Sequence, residues 1–230
     1  MKKLLWMVLL AVAFSANAYA DGDDEKKETD IVLSKSKNHS LEMHFGAGVN
    51  IVSGAPNGYE FATFSSWDFQ FTPFQYEYKP EGASQTYSVG LGFNWRNYGL
   101  KDNNTCFEKI DDVVMLREFP VNSGERSSKV HSFAINIPLL FTQNIGKNFS
   151  ISVGPIVNFN VSGWVTNDYE LNNKEFKVTT RKIGQRPVTV DIMGIFDIYG
   201  LGVFCKYSPM NVFKKDRGPE FRSFTVGLYI

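Results

Sequence analysis

From residue 41 onward, apolar residues recur at every second position, the period of a strand whose two faces meet different surroundings. Between 41 and 51, Leu41, Met43, Phe45, Ala47, Val49 and Ile51 share one face, opposite Glu42, His44, Gly46, Gly48 and Asn50. Between 87 and 96, Tyr87, Val89, Leu91, Phe93 and Trp95 oppose Ser88, Gly90, Gly92, Asn94 and Arg96. The alternation returns at 131–142, at 149–162, where Ser162 falls on the polar face, and at 223–230. Weaker runs at 66–78, 188–198 and 201–207 bring the predicted strands to eight. In the first of these, Thr72-Pro73 predicts a bulge after which the parity shifts, because proline cannot donate to a ladder.

Alternation alone also describes a soluble sandwich, so strand length and face composition decide. The longer clean runs are ten to fourteen residues long, against about five or six for an ordinary strand and about 9–11 for a tilted strand crossing a bilayer. One face is large, apolar and aromatic toward the strand ends. The other is Gly, Ser, Asn and Thr with an occasional charge, which suits a narrow interior better than open water. The predicted connections alternate as well: long or moderate at 53–65, 97–127, 164–186 and 209–219, short at 79–82, 144–147 and 199–200. The expected fold is therefore all-β, a closed eight-stranded antiparallel up-and-down transmembrane β-barrel, with every backbone donor and acceptor paired around the ring. A soluble lipocalin-like carrier would need its large apolar residues inside, and here they fall on the other face.

The first twenty residues read as an address. Lys2 and Lys3 precede the apolar run Leu4–Phe14, and Ala16-Asn17-Ala18-Tyr19-Ala20 supplies a small-residue cleavage site. The run has eleven residues, well short of the roughly 20 that span a bilayer as a helix, so a cleaved secretory signal is expected. Residues 21–39 open on Asp21-Gly22-Asp23-Asp24-Glu25 and are expected to form a charged, flexible periplasmic leader, with the barrel over 40–230. These expectations locate the protein in the outer membrane of a Gram-negative cell.

Composition then narrows the function. The chain has 230 residues, 24 Lys+Arg and 24 Asp+Glu, and zero net charge argues against a nucleic-acid partner, which requires a basic surface. Aromatics reach 15% while the overall hydrophobic fraction is only 43%, as expected if apolar residues form a skin around a polar interior. Cys106 and Cys205 are expected to stay unpaired, since a lipid-facing Cys205 does not easily reach the loop holding Cys106.

Tyr207-Ser208-Pro209-Met210-Asn211-Val212-Phe213, Gly218-Pro219 and the closing Val226-Gly227-Leu228 resemble a recurring C-terminal pattern. With Ile137-Pro138-Leu139-Leu140 and Gly90-Leu91-Gly92-Phe93-Asn94-Trp95, they are similar to the PorT-like outer-membrane β-barrel family of Bacteroidetes. That resemblance spans roughly 41–230 and implies an eight-stranded outer-membrane barrel; the family's namesake serves protein secretion, while these motifs build barrels and diagnose no activity. The chain departs from the terminal aromatic that many such barrels present to the assembly machinery, ending Leu228-Tyr229-Ile230.

Candidate chemistry is sparse. The three histidines, His39, His44 and His131, show no metal-ligand spacing and sit in no nucleophile motif, so no catalytic residue, metal or cofactor is expected. Glu42, Arg96, Asp191, Asp197 and Lys206 fall on the inward face and are expected to pair in the lumen, because an unpaired buried charge costs several kcal/mol. With eight strands the interior is just filled by side chains, so no open pore is expected. Arg181, Lys182 and Arg186, next to the sixth strand, are candidates for lipopolysaccharide phosphates. The expected partners are outer-membrane lipids, the barrel-assembly machinery during biogenesis and an unidentified protein. The competing function is a lipid-modifying enzyme with a site at the barrel rim.

Overall fold

The computed structural model describes residues 38–146 and 148–230; the expected signal peptide and most of the expected leader lie outside the described residues. Among the described residues eleven strands form: β1 His39–Ser53, β2 Trp67–Tyr78, β3 Gln85–Gly99, β4 Thr105–Ile110, β5 Val113–Glu118, β6 Arg126–Asn144, β7 Phe149–Leu171, β8 Lys174–Arg181, β9 Val188–Ile198, β10 Leu201–Ser208 and β11 Arg222–Tyr229. Eight of them close a ring in the order β1–β2–β3–β6–β7–β9–β10–β11 and back to β1, each pair antiparallel. These are the eight strands the alternation predicts. The seam lies between the first strand and the last, where Gly46 pairs with Tyr229 and Ser53 with Arg222.

Two stretches expected to be loops fold as strands instead. Within 97–127, β4 and β5 form a separate hairpin, and within 164–186 the upper half of β7 pairs with β8. The cause is local turn chemistry. Asp111 and Asp112 have φ of 47° and 66°, and Asn172 and Asn173 have 53° and 59°. Two successive left-handed residues make the tight hairpin turn whose twist matches its strands, and Asp and Asn tolerate that conformation best.

The expected slip at Thr72-Pro73 is present: β2 shifts register between Phe71 and Phe74 against β3. Asp68, Gln70 and Thr72 are buried before it and Gln75 after it. A second slip opposite Phe133 and Ala134 leaves Val161 of β7 as an extra residue. Ser162, expected inside, therefore registers with outward Phe133, and the inward set resumes at Gly163, Val165 and Asn167.

The interior is layered rather than uniformly polar. At the loop end, Tyr98, Val130 and Val165 from the ring pack against Phe107, Val114, Ile183, Phe213 and Phe221 from the connections, forming an apolar plug. At the turn end, Leu140, Ile156, Met193, Ile195, Phe204 and Tyr229 form a second apolar cluster. A charged layer occupies the space between them. Outside, every ring strand leaves large apolar side chains uncovered, among them Met43, Phe74, Leu91, Leu139, Val153, Ile192, Val203 and Leu228. On β3 this face runs from Tyr87 to Trp95, about 27 Å along the strand and roughly 20 Å along the barrel axis at the usual tilt.

Candidate functional site

The charged layer is built from four strands. Alternation turns Asp68 of β2, Arg96 of β3, Asp191 of β9 and Lys206 of β10 inward, and all four are buried. In the ring, β2–β3 and β9–β10 stand opposite each other, separated by two strands on either side. Lys206–Asp68 and Arg96–Asp191 therefore cross the lumen, while Arg96–Asp68 joins neighbouring strands. Lys206 Nζ lies 2.8 Å from the Asp68 carboxylate, and Arg96 Nε lies 3.2 Å from Asp68 Oδ2. The Arg96 guanidinium also pairs with Asp191 Oδ2. Two cations meet two anions, so the layer is neutral.

Amides complete the coordination. Asn94 Nδ2 donates to Asp68 Oδ1 at 2.8 Å, and Asn158 Nδ2 donates to Asp191 Oδ2 at 2.8 Å. Arg96 donates further to Asn158 Oδ1 at 3.3 Å and to Ser208 Oγ at 3.5 Å. On the seam side, Thr225 Oγ1 donates to Asn50 Oδ1 at 2.7 Å, while Asn50 Nδ2 donates to the Trp67 carbonyl at 2.9 Å. Beside Arg96 and Asp191 a cavity of about 20 Å³ has room for a single water-sized molecule. Chemically this arrangement holds opposite walls together and offers no exposed nucleophile.

Of the five residues expected to form the lumen network, the structure brings Arg96, Asp191 and Lys206 together. Glu42 and Asp197 are corrections: both face inward but stand near the turn end. Glu42 lies beside His44, with 3.7 Å between its carboxylate and Nε2. Asp197 accepts from the Gly200 amide at 3.0 Å in the β9–β10 turn. Alternation gives the side of the wall a residue faces, not its height. Asp68 was missed although its position between Trp67 and Phe69 already points it inward, and Asn94 and Asn158 carried the same signal.

The basic trio also divides. Arg186 is committed within the protein, its Nε donating to the Phe213 carbonyl at 3.1 Å. Arg181 and Lys182 are exposed, and Arg181 registers beside Trp164, which stacks on outward-facing His131 at 5.2 Å. Above the ring, β6, β7 and β8 continue as a three-stranded sheet in which β8 is the edge and is exposed along nearly its whole length.

No family model matches the chain. No curated protein matches it either. Among solved structures it is similar to Ail, the attachment invasion locus protein of Yersinia pestis, with 10% identity and a TM-score of 0.36 over 85% of this chain and 100% of that one. The same protein in complex with the heparin analogue sucrose octasulfate gives 9% identity and 0.37 over the same shares. The fold assignment rests on the hydrogen-bonded ring itself.

Cys106 on β4 is buried and Cys205 on β10 half-buried, and neither is in a disulfide. Burial, then the charge of Glu108, pushes the Cys106 thiol up. At the β4–β5 turn, Lys109 Nζ lies 2.6 Å from Asp112, and its hydrogen bond and charge hold that carboxyl below its usual range.

Proposed function

We propose that this chain is a small outer-membrane β-barrel of a Gram-negative cell, exported through a cleaved signal peptide, that conducts no solutes and presents its loop end to a partner. The observation that carries it is the closed ring wearing an apolar belt on every strand. In water such a surface far exceeds the few hundred Å² that monomers tolerate. In a bilayer it is the required exterior, and closure leaves no unpaired ring edge in lipid. The absence of conduction is supported by the stacked interior, with an apolar cluster on each side of a charge-neutral layer.

Partner binding is supported by the sheet above the ring. The free edge of β8 offers unpaired backbone donors and acceptors to an incoming strand. Its exposed Lys174 and Arg181, beside a Lys177 already 3.7 Å from Asp168, favour an acidic partner or lipid phosphates, with Arg181 next to the Trp164–His131 stack at the expected headgroup level. Kinship with PorT-like barrels, and a service to protein secretion, is the finer form of this proposal.

Fractionation with gel migration before and after heating tests the core reading. Recovery in the outer membrane with a heat-dependent shift is expected, and recovery as soluble protein refutes it. In planar bilayers, stable nanosiemens openings would refute the sealed lumen. Loss of secreted protein on deletion of the gene is expected if the secretion role holds, and unchanged secretion removes it.

A further inference from the structure

At the turn-end mouth three ligand-type side chains converge. Glu42 and His44 are successive inward residues of β1, and Glu77 is an inward residue near the end of β2. One ligand atom from each lies within 4.8 Å of the others. The spacing of the histidines predicted no metal site, because the third group comes from the neighbouring strand, which spacing along one strand does not reveal.

His44 Nε2 is buried and has no hydrogen-bond partner. Glu42 Oε2 is 3.7 Å away, beyond hydrogen-bonding range. The ring is held in place by stacking on Tyr229 at 5.1 Å, part of the apolar turn-end cluster. Each carboxylate has one oxygen engaged from outside: Ser40 Oγ donates to Glu42 Oε1 at 3.3 Å, and Gln75 Nε2 donates to Glu77 Oε1 at 2.9 Å. Among the described residues, no lysine or arginine pairs with either carboxylate. This reverses the charged layer above, where two cations balance two anions. Here two carboxylates and a buried imidazole nitrogen without a partner face a common point, so a cation is what the cluster lacks.

We propose that Glu42, His44 and Glu77 bind a divalent first-row transition ion, with zinc the best fit and the fourth position left to water. One imidazole and two carboxylates form a nitrogen–oxygen donor set that zinc accepts at about 2.0–2.2 Å. Tetrahedral ligands at those lengths stand roughly 3.4 Å apart, so side-chain rotation closes the observed spacing. Calcium needs six to eight oxygens and magnesium a near-octahedral oxygen shell, and the cluster provides neither. Ser40 and Gln75 supply the outer hydrogen bonds that orient ligating carboxylates in metal sites. A bound ion would clamp β1 to β2 beside the seam, where Phe45 N donates to the Ile230 carbonyl at 2.7 Å.

The test is calorimetric titration of the tag-free full-length protein in detergent micelles with zinc chloride and, separately, calcium chloride. One equivalent of zinc is expected, weakened at least tenfold by His44→Gln and by Glu77→Gln, with no heat from calcium at the same concentration. Migration on unheated gels shows that each variant has folded. Cobalt on the wild type gives a reading independent of variant folding, with intense visible bands of a tetrahedral nitrogen–oxygen site expected. No zinc binding at about 100 µM, stoichiometric binding that survives both substitutions, or a weak octahedral cobalt spectrum would each overturn the proposal.

Discussion

Replacing Arg96 with Met removes the one side chain among the described residues that pairs with both buried carboxylates of the lumen. Arg96 pairs with Asp191 and with Asp68, the latter at 3.2 Å, and its side chain is 9% exposed. Lys206 alone would then face two anions, 2.8 Å from Asp68. Methionine fills much of the same volume, so lost packing is minor and the uncompensated charge dominates. Breaking one side of a buried pair costs about 3–5 kcal/mol, a hundredfold or more in the unfolding equilibrium. Adding Asp191→Asn to the same chain leaves one anion facing one cation. It should recover about 2 kcal/mol of that loss, because neighbours in one network are not additive. Urea titration in lipid vesicles, followed by the fluorescence of Trp67, Trp95 and Trp164 on strands β2, β3 and β7, measures both. A loss below about 1 kcal/mol for the single variant, or a double variant no more stable than the single, would refute the charge-balance account.

Three further outcomes are expected. Gly92→Val should abolish the folded band on unheated gels, since a Cβ there would lie 2.9 Å from the Phe71 carbonyl and from Thr72 Oγ1 and would press on the Asn136 side chain; a normally folded variant would sink this. Cys106 should react slowly with water-soluble maleimide at neutral pH and faster as pH rises, because its raised pKa keeps it a thiol, and a rate independent of pH would contradict that. Asp112 has a lowered pKa through Lys109, so its contribution to the β4–β5 turn is present above the usual carboxylate pKa of about 4 and is lost as pH falls through the lower folded value. Amide exchange at the turn should therefore quicken only in acid, and Asp112→Asn should remove that acid-dependent change.

The ring was legible because lipid and lumen impose opposite demands on alternate residues, which writes a period of two into every crossing strand. Arg96, Asp191 and Lys206 could be assigned to the lumen on that basis. Glu42 and Asp197 share their parity yet lie at another height, because height depends on bulges such as Thr72-Pro73 and on turn lengths. The plug was invisible for a different reason. Phe107, Val114, Phe213 and Phe221 come from connections far apart in sequence, and their packing leaves no periodic trace. The hairpin turns Asp111-Asp112 and Asn172-Asn173 did carry a local signal, in residue types that accept left-handed backbone.

The single charged stratum between two apolar ones has a consequence for how the barrel chooses its shear. Sliding one strand past its neighbour by two residues, about 7 Å, keeps every side chain on its proper side, so the in-and-out pattern cannot forbid it. Such a slip would carry Arg96 or Lys206 up against Phe107 and Phe213 or down against Phe204 and Met193, leaving a carboxylate behind without its counter-charge. Buried polar groups are best attested as keys of register. Four residues at one level thus select one alignment from a ladder of otherwise equivalent ones.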